Sequence, residues 1–215
     1  MKVIAIDGPA GSGKSTVAKA LAAALGLDYL DTGAMYRSVT FAALRRGIDP
    51  AEADQVARMV TSIELDVRAD GVTVDGVDAS IEIRGPEVSR AVSIVAANPA
   101  VRAEMVRRQR EWAAAREGGV LEGRDIGTVV FPDADLKVYL TADPEVRAHR
   151  RSQEVTDLDY ETVAADLARR DALDETRTDS PLTQPAGSVV IDTTNRTIDE
   201  IVDEVLTHVQ AAEAT

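Results

Sequence analysis

At 215 residues, 45% hydrophobic and 28% charged, the chain has the size and composition of one globular domain carrying insertions. Its net charge of −13 argues against a broad duplex-binding face, whose affinity comes mostly from phosphate neutralisation, but leaves room for a small anion in a locally basic cleft. With no cysteine and two histidines, disulfides, thiolate zinc sites, cysteine nucleophiles and His-rich metal sites are excluded.

The N-terminus, MKVIAID, has no signal-peptide pattern, and no apolar run approaches the ~20 residues of a membrane span, so the expected location is the cytoplasm. Only Lys2, Lys14, Lys19 and Lys137 are lysines, which leaves 20 of the 24 basic residues as arginine. Arginine grips phosphate bidentately and stays charged when desolvated; a GC-rich coding sequence gives the same bias.

Residues 2–6 (KVIAI) read as a buried parallel strand running into Asp7-Gly8. An Ala/Leu-rich helix is expected from Lys14 to Leu25, closed by Gly26. A short strand over Leu27–Leu30 and a helix over Met35–Arg46, closed by Gly47, follow. This quick alternation predicts an α/β domain with a parallel sheet. Residues 63–83 differ: near-alternating apolar positions with turn pairs at Asp70-Gly71 and Asp75-Gly76 predict a small antiparallel insertion. Helix resumes over Glu87–Arg116, with Pro99 expected to break or restart it. Gly119–Glu122, Leu136–Thr141 and Ser188–Asp192 read as further strands. Charged helices are expected at Pro144–Val155 and Tyr160–Asp171, joined by an acidic stretch, and a last helix at Thr197–Ala212.

Gly8-Pro9-Ala10-Gly11-Ser12-Gly13-Lys14-Ser15 fits G-x-x-x-x-G-K-[ST] between a strand and a helix. Glycines let backbone N–H groups turn inward around phosphate oxygens, and the helix N-terminus adds partial positive charge. Lys14 can bridge the outer phosphates, and the Ser15 hydroxyl can ligate Mg²⁺. The segment from Gly8 to Thr16 therefore predicts nucleoside-triphosphate binding. The glycine order is not that of a dinucleotide fold. No Asn-Lys-x-Asp or Asp-x-x-Gly of a switch GTPase is present, and Leu121-Glu122 only partly matches the acidic strand end of an ATPase motor. A small-molecule kinase fits better.

Asp31-Thr32-Gly33-Ala34-Met35-Tyr36-Arg37 and Gly123-Arg124-Asp125-Ile126-Gly127 follow two strands and should open onto the same crevice. Thr32 with Arg37, and Arg124 with Asp125, can hold a phosphate or a base edge; taken alone, each set also fits a capped helix start or a ligand-free turn. Arg147, Arg150 and Arg151 share a helix face, and Arg169-Arg170 ends the next helix. Facing a triphosphate, such helices fit a lid that excludes water; without it they fit a solvated hairpin.

Taken in order, IDGPAGSGKST, LDTGAMYR, EIR (82–84), NPAVR (98–102), RRQR (107–110), EGRDIGTVVFPD and RRDALDETR resemble the bacterial cytidylate kinase family from residue 3 to about residue 195. The resemblance implies a P-loop NTPase-like parallel sheet flanked by helices, in one domain. Its core would cover 1–35, 93–146 and 173–215, its monophosphate-binding insertion 36–92 and its lid 147–172. It implies transfer of a phosphoryl group from ATP to CMP or dCMP with Mg²⁺, by a monomer acting on no nucleic-acid polymer. It places Thr32, Arg37, Arg84, Arg102, Arg124, Asp125, Asp174 and Arg177 at the CMP site. Of these, Arg37, Arg102 and Arg124 are expected around the acceptor phosphate, Thr32 and Asp125 at the base, and Asp174 and Arg177 at the sugar. Lys14, Arg151 and Arg170 would act on the transferring group. Thr32 stands where the family often has Ser, which keeps the hydroxyl, and 172–176 is less basic than in some members. A kinase acting on UMP or shikimate, or an ATP-binding module without transfer activity, are the competing readings.

Overall fold

The structure is a computed structural model describing residues 1–154 and 159–213. Five parallel strands form the central sheet: β1 (Lys2–Asp7), β2 (Tyr29–Asp31), β6 (Gly118–Gly123), β7 (Leu136–Thr141) and β8 (Val189–Asp192), in the order β2-β6-β1-β7-β8. β1 lies at the centre and is buried along almost its whole length, which is why it reads as an uninterrupted apolar run. Its side chains alternate: Val3 and Ala5 enter one core, Ile4 and Ile6 the other. The first core includes Leu30, Val39, Met105 and Leu121; the second is closed by α1 (Lys14–Leu25) and α8 (Ile198–Glu213) through Leu21, Ile201 and Val205.

Parallel pairing brings every strand's C-terminal end to one edge. Asp7 lies opposite Gly123, and Asp31 opposite Glu122. This edge carries the glycine-rich loop and the segments after β2 and β6. Between β2 and β6 lie α2 (Thr32–Arg45), α3 (Ala53–Val60), α4 (Pro86–Ala97) and α5 (Pro99–Ala114), together with an antiparallel sheet of β3 (Leu65–Val67), β4 (Val72–Val74) and β5 (Val77–Asp78). The last is the expected hairpin insertion. Pro99 restarts the helix, with Asn98 Oδ1 accepting from the amides of Ala100 and Val101. α6 (Pro144–Glu154) and α7 (Tyr160–Thr176) pack against each other and against Ala10 of the loop through Ala148, Val163 and Leu167.

Three local expectations change. The second helix begins at Thr32, three residues earlier than expected, because the Asp31 carboxylate accepts from the Ala34 amide at 2.8 Å and caps it. α3 was not anticipated, although Val56, Met59 and Val60 have helical spacing; its 8 residues are too few to stand out by pattern. The helix expected over Tyr160–Asp171 continues to Thr176, since Ala172–Thr176 contains no breaker and Asp171 and Asp174 both face inward. Most of the acidic stretch expected between the charged helices lies outside the described residues. Among the described residues, no helix is long and apolar enough to cross a membrane.

Candidate active site

The loop after β1 departs from the sheet at Gly8, where no side chain fits: a Cβ there would lie 2.0 Å from the Leu140 carbonyl oxygen. Gly11 and Gly13 have φ of 75° and 86°, the left-handed region glycine adopts without strain. The loop thus turns its backbone around the N-terminus of α1. Lys14 is buried, and its ammonium donates to the Pro9 carbonyl at 2.7 Å. Burial and the nearby Arg124 guanidinium lower its pKa, against the pull of Glu122, Asp7 and Asp174.

Beside Lys14, the end of β6 contributes Glu122, a buried carboxylate that accepts from the Tyr29 hydroxyl, with the Ser15 hydroxyl close by. Burial and the adjacent Asp31 raise its pKa. A hydroxyl and a carboxylate are the hard oxygen donors that suit Mg²⁺, an ion usually bound by one or two carboxylates plus substrate phosphates. Among the described residues no group of three or more acidic or histidine side chains could hold an ion by itself, so nucleotide oxygens would have to complete the shell. Glu122 had only the ATPase comparison to suggest it.

A cleft beside the C-terminal ends of β2 and β6 is lined by Thr32, Arg37, Arg102, Arg124, Asp125, Asp174 and Arg177, together with Arg170. Seven of the eight residues expected at the acceptor site therefore meet in one place. Arg84 does not line it: half-exposed, it pairs with Asp31 at 3.1 Å. Gly33, Tyr36 and Gly123, from the two motifs expected on the crevice, also line the cleft, as do Val92, Ser93 and Ala96, which carried no chemical signal in the sequence.

The charged side chains form partnerships. Arg102 and Asp125 are an ion pair buried on both sides, and Arg102 also donates to the Ala96 carbonyl and stacks over Tyr36. Arg124 Nε donates to Asp174 at 2.9 Å, and Arg177 stands 3.8 Å from the same carboxylate. Thr32 Oγ1 donates to the Glu122 carbonyl at 2.6 Å. Arg37 donates to the Ile83 carbonyl and the Ser89 hydroxyl.

Among the described residues, no carboxylate pairs with the Arg37 guanidinium. Burial, then Arg170 and Arg151, push its pKa down to about 9. Burial and Arg124 likewise push Arg170 down to about 10. Cations crowded from α2, α6, α7 and the segment after β6 repel one another unless an anion lies among them. Among the described residues, the buried donors Arg102 Nε, Arg170 Nε and Arg177 Nη2 have no protein acceptor. Arg151 does not line the cleft and reaches Glu154 on its own helix at 2.7 Å.

α6 and α7 are anchored to the loop. Arg147 donates to Asp171 and to the Ala10 carbonyl, and Arg150 donates to both oxygens of Thr193, whose hydroxyl donates to the Ser12 carbonyl. Arg150 also borders a second cavity of about 520 Å³, lined by Glu145, Val146, His149, Tyr160 and Asn195.

The cytidylate kinase family profile matches residues 4–211. A cytidylate kinase of Mycobacterium avium is 51% identical over 210 residues, covering 94% of this chain and 92% of that protein. One from Streptomyces griseus is 48% identical, covering 97% and 92%. Among solved structures, a gluconokinase from Sinorhizobium meliloti superposes with a TM-score of 0.54 at 17% identity, covering 99% of this chain and 94% of that one. A shikimate kinase from Acinetobacter baumannii superposes with a TM-score of 0.51 at 16% identity, covering 100% and 96%, and these two likenesses show the fold alone. Profile and relatives agree over nearly the whole chain, which belongs to the cytidylate kinase family.

Proposed function

We propose that the chain transfers the γ-phosphoryl group of ATP to CMP or dCMP, giving ADP and CDP or dCDP, as a cytoplasmic monomer that uses Mg²⁺. The observation carrying this reading is the buried Arg37, which shares one cleft with Arg102, Arg124, Arg170 and Arg177. Such a cluster is costly by itself and favourable around a phosphate.

The acceptor phosphate is an anion at neutral pH, so no strong general base is required. What remains is to bring two polyanions together in line and neutralise them. Lys14 holds the outer phosphates of the donor. Arg37 and Arg124 hold the acceptor phosphate, and Arg84 adds charge close to Arg37. Arg151 and Arg170 stabilise the transferring group. Ser15 would hold Mg²⁺ with Glu122 beside it, and the ion, when bound, neutralises charge on the phosphate oxygens.

The burial of Arg102 against Asp125 supports moving Arg102 from the acceptor phosphate to the base: together the two offer donors and an acceptor side by side, as a cytosine edge demands. Thr32 completes that set. Asp174 and Arg177 serve the sugar. The cavity beside Arg150 takes the donor base, with Tyr160 and Arg150 as stacking surfaces and Asn195 as an amide reader.

The test is ADP release with ATP and a panel of CMP, dCMP, UMP, AMP and shikimate. Turnover highest with CMP or dCMP is expected. Preferential turnover of another acceptor, or ATP binding with no acceptor-dependent release, would reject the reading.

A further inference from the structure

One fully buried charge has no part in the chemistry above. Asp7 ends β1 and directly precedes Gly8. Its two carboxylate oxygens have separate partners: Oδ1 accepts from the Ile126 amide at 2.9 Å and Oδ2 from the Gly127 amide at 2.7 Å. Those amides immediately follow Arg124 and Asp125. Strand pairing already sets Asp7 beside Gly123. The Arg124-Asp125 dipeptide is therefore fixed at both ends, by sheet register before it and by the Asp7 carboxylate after it.

The arrangement is held against a cost. Both amides favour the anion, yet burial outweighs them and pushes the carboxyl up to about 6. The ionisable groups around it are Lys14 from α1, which favours the charge, Asp125 from the loop after β6, which opposes it, and Tyr139 from β7. A neutral side chain would avoid this cost and lose one end of the clamp. Asn offers a single carbonyl oxygen and turns an NH₂ toward the second amide.

We propose that Asp7 is a positioning residue that couples the donor cradle to the acceptor loop, gripping the Ile126 and Gly127 amides so that Arg124 and Asp125 stay in register with Gly8–Ser15. The inference rests on the acceptor assignment of Arg124 and Asp125. Asp7 is fully buried and acts only through that backbone.

The experiment is steady-state kinetics of Asp7→Asn and wild type, varying each nucleotide in turn, with chemical denaturation of both. A small displacement of a clamping group acts on the substrate it holds, so KM for CMP should rise about tenfold while KM for ATP moves less than about twofold. The unfolding midpoint should not fall. An unchanged KM for CMP, equal rises for both nucleotides, or a loss explained by the unfolded fraction would overturn the proposal.

A measurement on the wild type covers the case of a variant that fails to fold. The Ile126 and Gly127 amide resonances and the Arg124 Nε resonance should titrate together with the Asp7 carboxyl. A stationary Arg124 resonance would overturn the coupling. Absence of CMP turnover in the wild type would count against the functional reading, and the resonances would still decide the role of Asp7.

Discussion

Arg102 on α5 and Asp125 after β6 stand 23 residues apart in the chain and form an ion pair closed to solvent on both sides. Removing one member leaves the other charge buried and uncompensated, at a cost of about 3–5 kcal/mol, whereas replacing both by apolar groups of similar volume is often neutral. Asp125→Ala should therefore lower the unfolding midpoint and raise KM for CMP. Arg102→Met combined with Asp125→Leu should recover the midpoint and leave CMP use impaired. Urea denaturation and initial rates on the same samples separate the two effects; recovery of both together would show that the pair matters only for folding.

Lys14, buried, and Arg170, partly buried, are cations whose pKa values the fold lowers, so their charge does not favour the folded state. Lys14→Ala and Arg170→Ala should keep the circular dichroism spectrum and midpoint of the wild type. Turnover at saturating substrates should fall by about 10³-fold for either, the scale set by a cation placed on a transferring phosphoryl group. A coupled ADP assay reads this directly, and near-normal rates would remove those roles.

Asp7 links pH to stability with a definite sign. Its carboxyl titrates at about 6 in the folded chain and at 3.8 when exposed, so the folded state binds the proton more tightly. The contribution is fully present below the unfolded value and is lost as pH rises through about 6. At pH 7.5 the ionised Asp7 costs the fold on the order of 3 kcal/mol. Asp7→Asn should accordingly unfold at higher urea than wild type at pH 7.5, with the gap shrinking as pH falls toward 4. A gap that widens on acidification would reverse the assignment.

Asp174 accepts from Arg124 and lies within reach of Arg177. If it meets the sugar, Asp174→Ala should raise KM for CMP more than for dCMP, by about threefold or more, because only the ribotide loses a hydrogen bond to its 2′ hydroxyl. Both KM values also rise through the loosened Arg124. Equal increases for the two acceptors would assign Asp174 to holding arginines alone.

The glycine-rich loop was legible from its residues because its geometry is local: eight consecutive positions, glycines where φ turns positive, and a strand and helix on either side. The alternating pattern and Asp-Gly pairs of residues 63–83 likewise carried the antiparallel sheet, and Pro99 its helix boundary. Short α3 and the extended end of α7 were not legible, since neither carries a boundary signal of its own.

Sequence alone determined which chemical groups the chain owns: a phosphate-binding backbone, many guanidiniums, and neither thiol nor histidine cluster. Only the tertiary structure decided their pairing. It set Arg102 on Asp125 and Arg124 on Asp174, gave Arg37 a carbonyl and a hydroxyl as partners, kept Arg84 out of the cleft, and brought Glu122 and Asp7 to the loop. The physical reason is that partnership depends on distance through space. Parallel crossovers bring strand ends far apart in the chain to one edge, and which charge is neutralised there follows from that meeting, not from spacing along the chain.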